Sequence, residues 1–188
     1  MATQTKIPRV VSEDLPSNPF AFEVLALASK QKSNAKKSEI LQRYSDPSLK
    51  TILIWNFDET ILSMLPEGLV PYASVGQQNV RSGNLSDNIE RSVQMMGELD
   101  SNSIGSQDQG RTSIRKEYTY FYNFVKGGND RLSSMKRETM FISILEGLHP
   151  LEAEILMLVK DKKLETKYNI SKQNVSDAYP DIQWGGRS

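Results

Sequence analysis

Apolar residues recur three and four positions apart along most of the chain, the spacing of helices that bury one face. In the first half, one such segment covers residues 20–31, just after a Ser-Asn-Pro sequence typical of a helix start. A second follows Ser33, and a third follows Asp46 and Pro47, again a polar cap with a proline behind it. A fourth, short helix is predicted over residues 58–65, before prolines and a glycine interrupt the pattern.

Helical spacing resumes at Ile114 and continues to about residue 179. On the first segment, Tyr120 and Phe124 fall off the main apolar stripe, so these two rings are candidates for stacking on an unpaired base. Core packing remains the alternative for the whole aromatic run. The predicted helices cover residues 114–125, a stretch capped by Ser133 or Ser134 that runs to Leu148, residues 151–163, and a last short helix from Ser171 to before Pro180.

Residues 73–113, between the two halves, are rich in Ser, Asn, Gln and Gly and hold only scattered aliphatic side chains. One amphipathic helix is predicted within residues 85–99, with Ile89, Val93 and Met96 on one face. The remainder carries too little apolar surface to offset the entropy cost of ordering. We interpret the stretch as a polar insertion that is either mobile or ordered by a partner, and in the second case those three side chains are the anchors.

The hydrophobic pattern lacks the features of a β-protein. No segment shows sustained two-residue alternation, and no Asn-Gly or Asp-Gly hairpin signal occurs. The sequence therefore predicts an all-α fold, a single compact helical domain of about seven or eight short helices with the polar insertion. Its parts are an extended arm (1–16), a helical half (17–72), the insertion (73–113), a second helical half packing with the first (114–182) and a tail (183–188).

Composition removes several classes of function. The 188 residues include no cysteine and one histidine, which excludes disulfides, thiol nucleophiles, thiolate zinc sites and His-rich metal centres. His149 directly precedes Pro150 and is interpreted as a helix cap. The two glycine-rich motifs that bind phosphate groups, G-x-x-x-x-G-K-[ST] and G-x-G-x-x-G, are both absent from the sequence. We therefore predict a non-enzymatic protein with no catalytic residues, metal or cofactor.

Two features of the sequence bear on location. No apolar run reaches the roughly 18 residues of a membrane span. Residues 1–16 are polar and lack the apolar core of a signal peptide. The sequence predicts a cytoplasmic protein without a membrane partner.

The main functional hypothesis rests on the positions of the lysines along the sequence. Charge is balanced overall, with 23 Lys+Arg against 23 Asp+Glu, so any cationic surface must be local. Two clusters of lysines lie near the ends of the helical region, and solvated helix faces are the ordinary explanation for each. If the fold joins them, the joint surface can follow a phosphate backbone without reading sequence. The residues predicted to contact DNA are Lys32, Lys36, Lys37, Lys160, Lys162, Lys163 and Lys167.

Two blocks of the chain resemble the helical N-terminal DNA-binding domain of phage-type ATP-dependent DNA ligases. The first comprises residues 24–29, 36–41 and 49–53, and the second comprises residues 141–148, 154–164 and 168–182. The lysine nucleophile motif K-x-D-G of the ligases is missing, and no length remains for an adenylation domain. The resemblance therefore implies a stand-alone helical module that binds DNA or a replication protein without joining strands.

The chain as a whole is similar to an uncharacterised protein of T4-like tailed bacteriophages, including those of cyanobacteria. The similarity lies in residues 54–58, residues 124–130 and the ending Trp184-Gly185-Gly186-Arg187-Ser188. It implies a phage protein that acts in the host cytoplasm.

Together these observations favour a DNA-interacting accessory protein of phage replication or DNA metabolism that binds DNA weakly and without sequence preference. The alternative is a protein-interaction module, either a virion component or a binder of a host or replication protein, that uses residues 73–113.

Overall fold

The computed structural model describes residues 14–71, 84–98 and 110–187. Within them the fold is all-α, as the sequence predicts, with eight α-helices, two 3₁₀ segments and no strand. The α-helices are α1 (Ala21–Lys30), α2 (Asn34–Arg43), α3 (Pro47–Phe57), α4 (Leu85–Glu98), α5 (Ile114–Glu117), α6 (Ser134–Gly147), α7 (Pro150–Lys160) and α8 (Lys172–Ala178), and the 3₁₀ segments are Tyr118–Phe124 and Leu164–Thr166.

Polar caps fix most helix starts where the sequence places them. The Ser33 hydroxyl accepts the Lys36 amide at 3.2 Å, and the Asp46 carboxylate accepts the Ser48 amide at 2.8 Å. Ser133 and Ser171 cap α6 and α8 in the same way. The predicted start of the first helix at Pro19 is wrong, because α1 begins at Ala21 after a non-polar cap residue.

Helix α7 lies at the centre of the molecule and packs against α1, α3, α4 and α6. Its side chains are buried on nearly every face, so the helix has no solvent-facing stripe. The remaining elements contribute to the same hydrophobic core. The single helical domain therefore forms around α7.

Residues 58–65 do not form the predicted helix. The Asp58 carboxylate accepts the Thr60 amide at 2.9 Å, which turns the chain at the end of α3. The chain then runs extended beside residues 124–126, where the Met64 amide donates to the Phe124 carbonyl at 2.8 Å. This pairing partner lies far along the sequence and leaves no signal in local spacing.

The aromatic run is also not one α-helix, because α5 ends after a single turn and continues as a 3₁₀ segment. Side chains three apart align in a 3₁₀ helix, so Phe121 and Phe124 both face the core beside Trp55. Tyr120 and Tyr122 are each 53% exposed. Tyr120 therefore lies off the apolar stripe, as predicted, whereas the same prediction for Phe124 is wrong, and base stacking by Tyr120 stays a prediction.

Part of the predicted insertion is ordered core. Helix α4 forms where the sequence places a helix, and Asn84 caps it by accepting the Asp87 amide at 2.9 Å. The helix packs on α7. Residues 72–83 and 99–109, to which the flexible part of the prediction applies, lie outside the described residues, as do residues 1–13 and 188.

The tail packs against the rest of the fold as far as residue 187. The Trp184 indole donates to the Ser176 hydroxyl at 2.9 Å, so the ring docks on α8. The Gly185 amide and the Arg187 guanidinium donate to the Asp58 carboxylate at 3.0 Å and 2.9 Å. No helix in the described part of the chain has the length and apolar character needed to cross a bilayer.

Candidate functional site

Two lysine-containing segments from distant parts of the chain meet in the fold. Residues 29–38 and 167–176 together hold six lysines and no Asp or Glu. The Asn169 amide donates to the Ser29 hydroxyl at 3.1 Å, and the Ser38 hydroxyl donates to the Asn174 carbonyl at 3.0 Å. The N-terminal half of α2 therefore lies against α8 and the segment before it.

Four of the six side chains are exposed at this junction, and we call them the lysine surface: Lys30, Lys32, Lys36 and Lys172. Lys36 lies in the first turn of α2 and Lys172 is the first residue of α8. Neither Lys32 nor Lys36 forms an ion pair within the described residues. The Lys172 ammonium lies 5.0 Å from the centroid of the Trp184 ring, which orients it.

The other two lysines of the junction, Lys37 and Lys167, are buried and support the fold. The Lys37 ammonium donates to the Asn169 carbonyl at 2.8 Å, which ties α2 to the segment before α8. Lys167 pairs with Glu154 of α7, and both side chains are almost fully enclosed. Removing either ammonium leaves a buried polar group unpaired, so neither lysine is available to DNA.

Lys160 and Lys162, which were also predicted to contact DNA, instead bind backbone carbonyls in a different part of the fold. The Lys160 ammonium donates to the carbonyls of Pro66 and Gly68 at 2.8 Å and 3.1 Å. The Lys162 ammonium donates to the carbonyls of Trp55 and Asp58, both at 2.7 Å. These bonds explain the burial of Lys160, and burial lowers the pKa of Lys162.

Lys163 is exposed, but its ammonium lies 3.6 Å from the Glu67 carboxylate. Of the seven lysines predicted to contact DNA, the lysine surface therefore includes Lys32 and Lys36. Lys30 and Lys172 belong to it as well, although they were not among the seven predicted contacts. Both lie close to predicted helix caps in windows free of carboxylates, Lys30 three residues before Ser33 and Lys172 directly after Ser171, and this signal could have pointed to them.

Two of the three residues predicted to bind a protein partner, Ile89 and Val93, are not presented on a surface. Ile89 and Val93 are 6% and 7% exposed and belong to the common core, on the side of α4 that packs on α7. The side chain of Met96 lies outside what the structure describes. An anchoring role for Ile89 and Val93 would require α4 to leave α7.

His149 and Asp58 serve structural roles. His149 accepts the Leu151 amide through Nδ1 at 3.1 Å and stacks on Phe22, so it caps α7 as predicted. Burial raises the pKa of Asp58, but hydrogen bonds from Thr60, Gly185 and Arg187 outweigh it and lower the pKa to about 2. Within the described residues, no group of three or more His, Asp or Glu side chains is placed to hold a metal ion.

Most of this fold matches a known protein family. Residues 24–96 and 98–166 match DUF6433, described as a family of unknown function. The matched segments include most of residues 73–113, whereas Lys172 lies beyond them. No curated protein and no solved structure matches the chain. Because the match extends over more than half of its length, the chain belongs to family DUF6433.

Proposed function

We propose that this protein is a non-enzymatic DNA-interacting accessory protein whose lysine surface contacts backbone phosphates. One observation carries the proposal. Residues 29–38 and 167–176 are joined by the hydrogen bond from Lys37 to the Asn169 carbonyl, 132 positions away in sequence. Their junction brings four exposed lysines together, and neither segment contains a carboxylate. Ammonium groups gathered in this way favour a polyanion because binding releases the counterions condensed on it.

The lysine surface supports weak binding without sequence preference. Lysine acts as a point charge without the planar fork of arginine, and contacts to backbone phosphates carry no direct sequence information. Each phosphate neutralised on duplex DNA contributes about −0.9 to the slope of log K against log salt concentration, so four contacts give a slope of about −4. The overall charge is zero, so long-range attraction adds little.

We place this activity in phage replication or DNA metabolism in the host cytoplasm. The support is the sequence resemblance of the two helical blocks to the ligase DNA-binding domain and of the chain to a T4-like phage protein. Both blocks fall largely on helices, the first on α1 to α3 and the second on α6 to α8.

The test is fluorescence anisotropy on labelled duplex, nicked and single-stranded DNA with a Lys32→Glu/Lys36→Glu variant. Glu at position 36 completes a capping box with Ser33, so the variant is expected to fold. The matched control is Lys116→Glu/Lys136→Glu, which makes the same charge change at two exposed lysines elsewhere. In that control, Glu at position 136 likewise completes a capping box with Ser133.

The wild-type protein and the control are expected to bind with similar slopes, and the test variant with a slope reduced by about 2 and weaker binding on every DNA. Equal losses in both variants would point to a general charge effect and contradict the proposal. Absence of salt-sensitive binding by the wild-type protein at micromolar concentration would also contradict it and would favour the protein-interaction alternative.

A further inference from the structure

A cavity of about 220 Å³ opens between α1, α3, α5 and α7 and shares no residue with the lysine surface. One wall is apolar and includes Phe20, Val24 and Leu49. The opposite side presents three charged or ionisable side chains, Asp46, Arg115 and Glu152. A cleft with one apolar wall and a few converging polar groups is the usual form of a small-molecule site.

Asp46 and Arg115 compensate each other. One Asp46 oxygen accepts the Ser48 amide at 2.8 Å, and the other pairs with the Arg115 guanidinium. Arg115 also donates to the Pro19 carbonyl at 3.2 Å. The pair adds no net charge to the cavity, and both terminal nitrogens of the guanidinium already donate a hydrogen bond.

Glu152 has no such partner. Its side chain lies in the first turn of α7, and the residue is 2% exposed. Its two oxygens accept the Ile114 amide at 3.1 Å and the Ala21 amide at 3.4 Å, and each oxygen retains a further lone pair. No ion pair within the described residues includes Glu152, so its charge in the ionised state is the net charge of the cavity.

We propose that this cavity binds a small organic monocation, with an ammonium group against Glu152 and a compact apolar body against Phe20, Val24 and Leu49. A cation supplies the missing counter-charge and uses the free lone pairs of the carboxylate. An apolar cavity of about 150 Å³ holds one benzene molecule, so the present volume accommodates a six-membered ring with an aminomethyl group. An anion would meet two carboxyl side chains and an arginine already paired.

The experiment is calorimetric titration of the full chain with three probes of the same shape and different charge: benzylammonium, benzyl alcohol and benzoate. Benzylammonium is expected to bind at least tenfold more tightly than benzyl alcohol, and benzoate is expected not to bind. Tighter binding of benzoate, or equal binding of the alcohol and the ammonium ion, would overturn the proposal.

A Glu152→Gln variant is expected to lose the preference for benzylammonium over benzyl alcohol, whereas Glu146→Gln, the same charge change at an exposed residue of α6, is expected to keep it. Retention of the preference in a folded Glu152→Gln protein would overturn the proposal.

The pH profile of the wild-type protein provides an independent readout if the variant does not fold. Burial raises the pKa of Glu152 to about 7, opposed by the hydrogen bonds from Ile114 and Ala21 and by Arg115. Below pH 7 the cation must displace a proton, so its affinity is expected to rise tenfold per pH unit up to pH 7 and to level off above it. The other charged or titratable groups around Glu152 are Arg115 on α5, Glu23 on α1, Asp46 before α3, Tyr44 after α2, His149 before α7 and Tyr168. An affinity independent of pH between 5 and 7 would overturn the proposal.

Discussion

Glu152 is the residue on which the packing of several helices depends. Its carboxyl group accepts backbone amides from the starts of α1 and α5 while its own backbone belongs to the first turn of α7. Amides at helix starts have no partner within their own helix, and a buried carboxyl group supplies one. The same burial raises the pKa of Glu152 from 4.5 to about 7, although the helix starts favour negative charge.

This shift makes the stability of the ligand-free protein depend on pH. A folded-state pKa above the unfolded value means that the folded chain holds its proton more tightly. The free energy of unfolding should therefore fall as pH rises from about 4.5 to 7, by on the order of 3 kcal/mol from this residue. Urea denaturation at pH 5 and pH 8 measures the change. A Glu152→Gln variant should show less of this decline, and an equal decline would contradict the assignment.

At the scale of elements, the structure gives α4 a stabilising role. Ile89 is buried against α7 and its neighbour Glu90 is exposed. Ile89→Ala is expected to lower the free energy of unfolding by about 2–5 kcal/mol, because it leaves a cavity in the core. Glu90→Ala should change it by no more than about 0.5 kcal/mol. If chemical denaturation finds the two variants equal, α4 does not pack on α7 in solution.

The helix starts could be predicted because they depend on neighbouring residues. Ser33, Asp46, Ser133 and Ser171 cap their helices through bonds to amides two or three positions ahead. Residues 58–65 could not be predicted in this way, since the backbone of Leu62 and Met64 pairs with that of residues 124–126.

The candidate site was predictable only in part for the same reason. Sequence shows where lysines cluster, but packing decides which ammonium groups reach water. Lys36 and Lys37 are neighbours in α2, yet one is exposed and the other donates to the Asn169 carbonyl. Lys160 donates to the Pro66 and Gly68 carbonyls, and Lys162 donates to the Trp55 and Asp58 carbonyls. These acceptors lie about 90 to 110 positions earlier in the sequence, so the burial of the two lysines leaves no local signal.

At the scale of the whole molecule, the fold concentrates positive charge in a chain with no net charge. Many of its acids are engaged elsewhere, Asp58 with the tail, Asp46 with Arg115 and Glu154 with Lys167. The segments that meet at the lysine surface contain none. The central claim is that this junction, which depends on contacts between distant parts of the sequence, is where DNA binds.

The most direct test is an NMR titration of the isotopically labelled protein with short duplex and single-stranded DNA at low salt. We expect the largest amide shift changes at residues 30–36 and 171–173, all reversed by added salt, with little change at residues 160–163. Shifts centred on residues 160–163, or an unchanged spectrum at saturating DNA, would contradict the account.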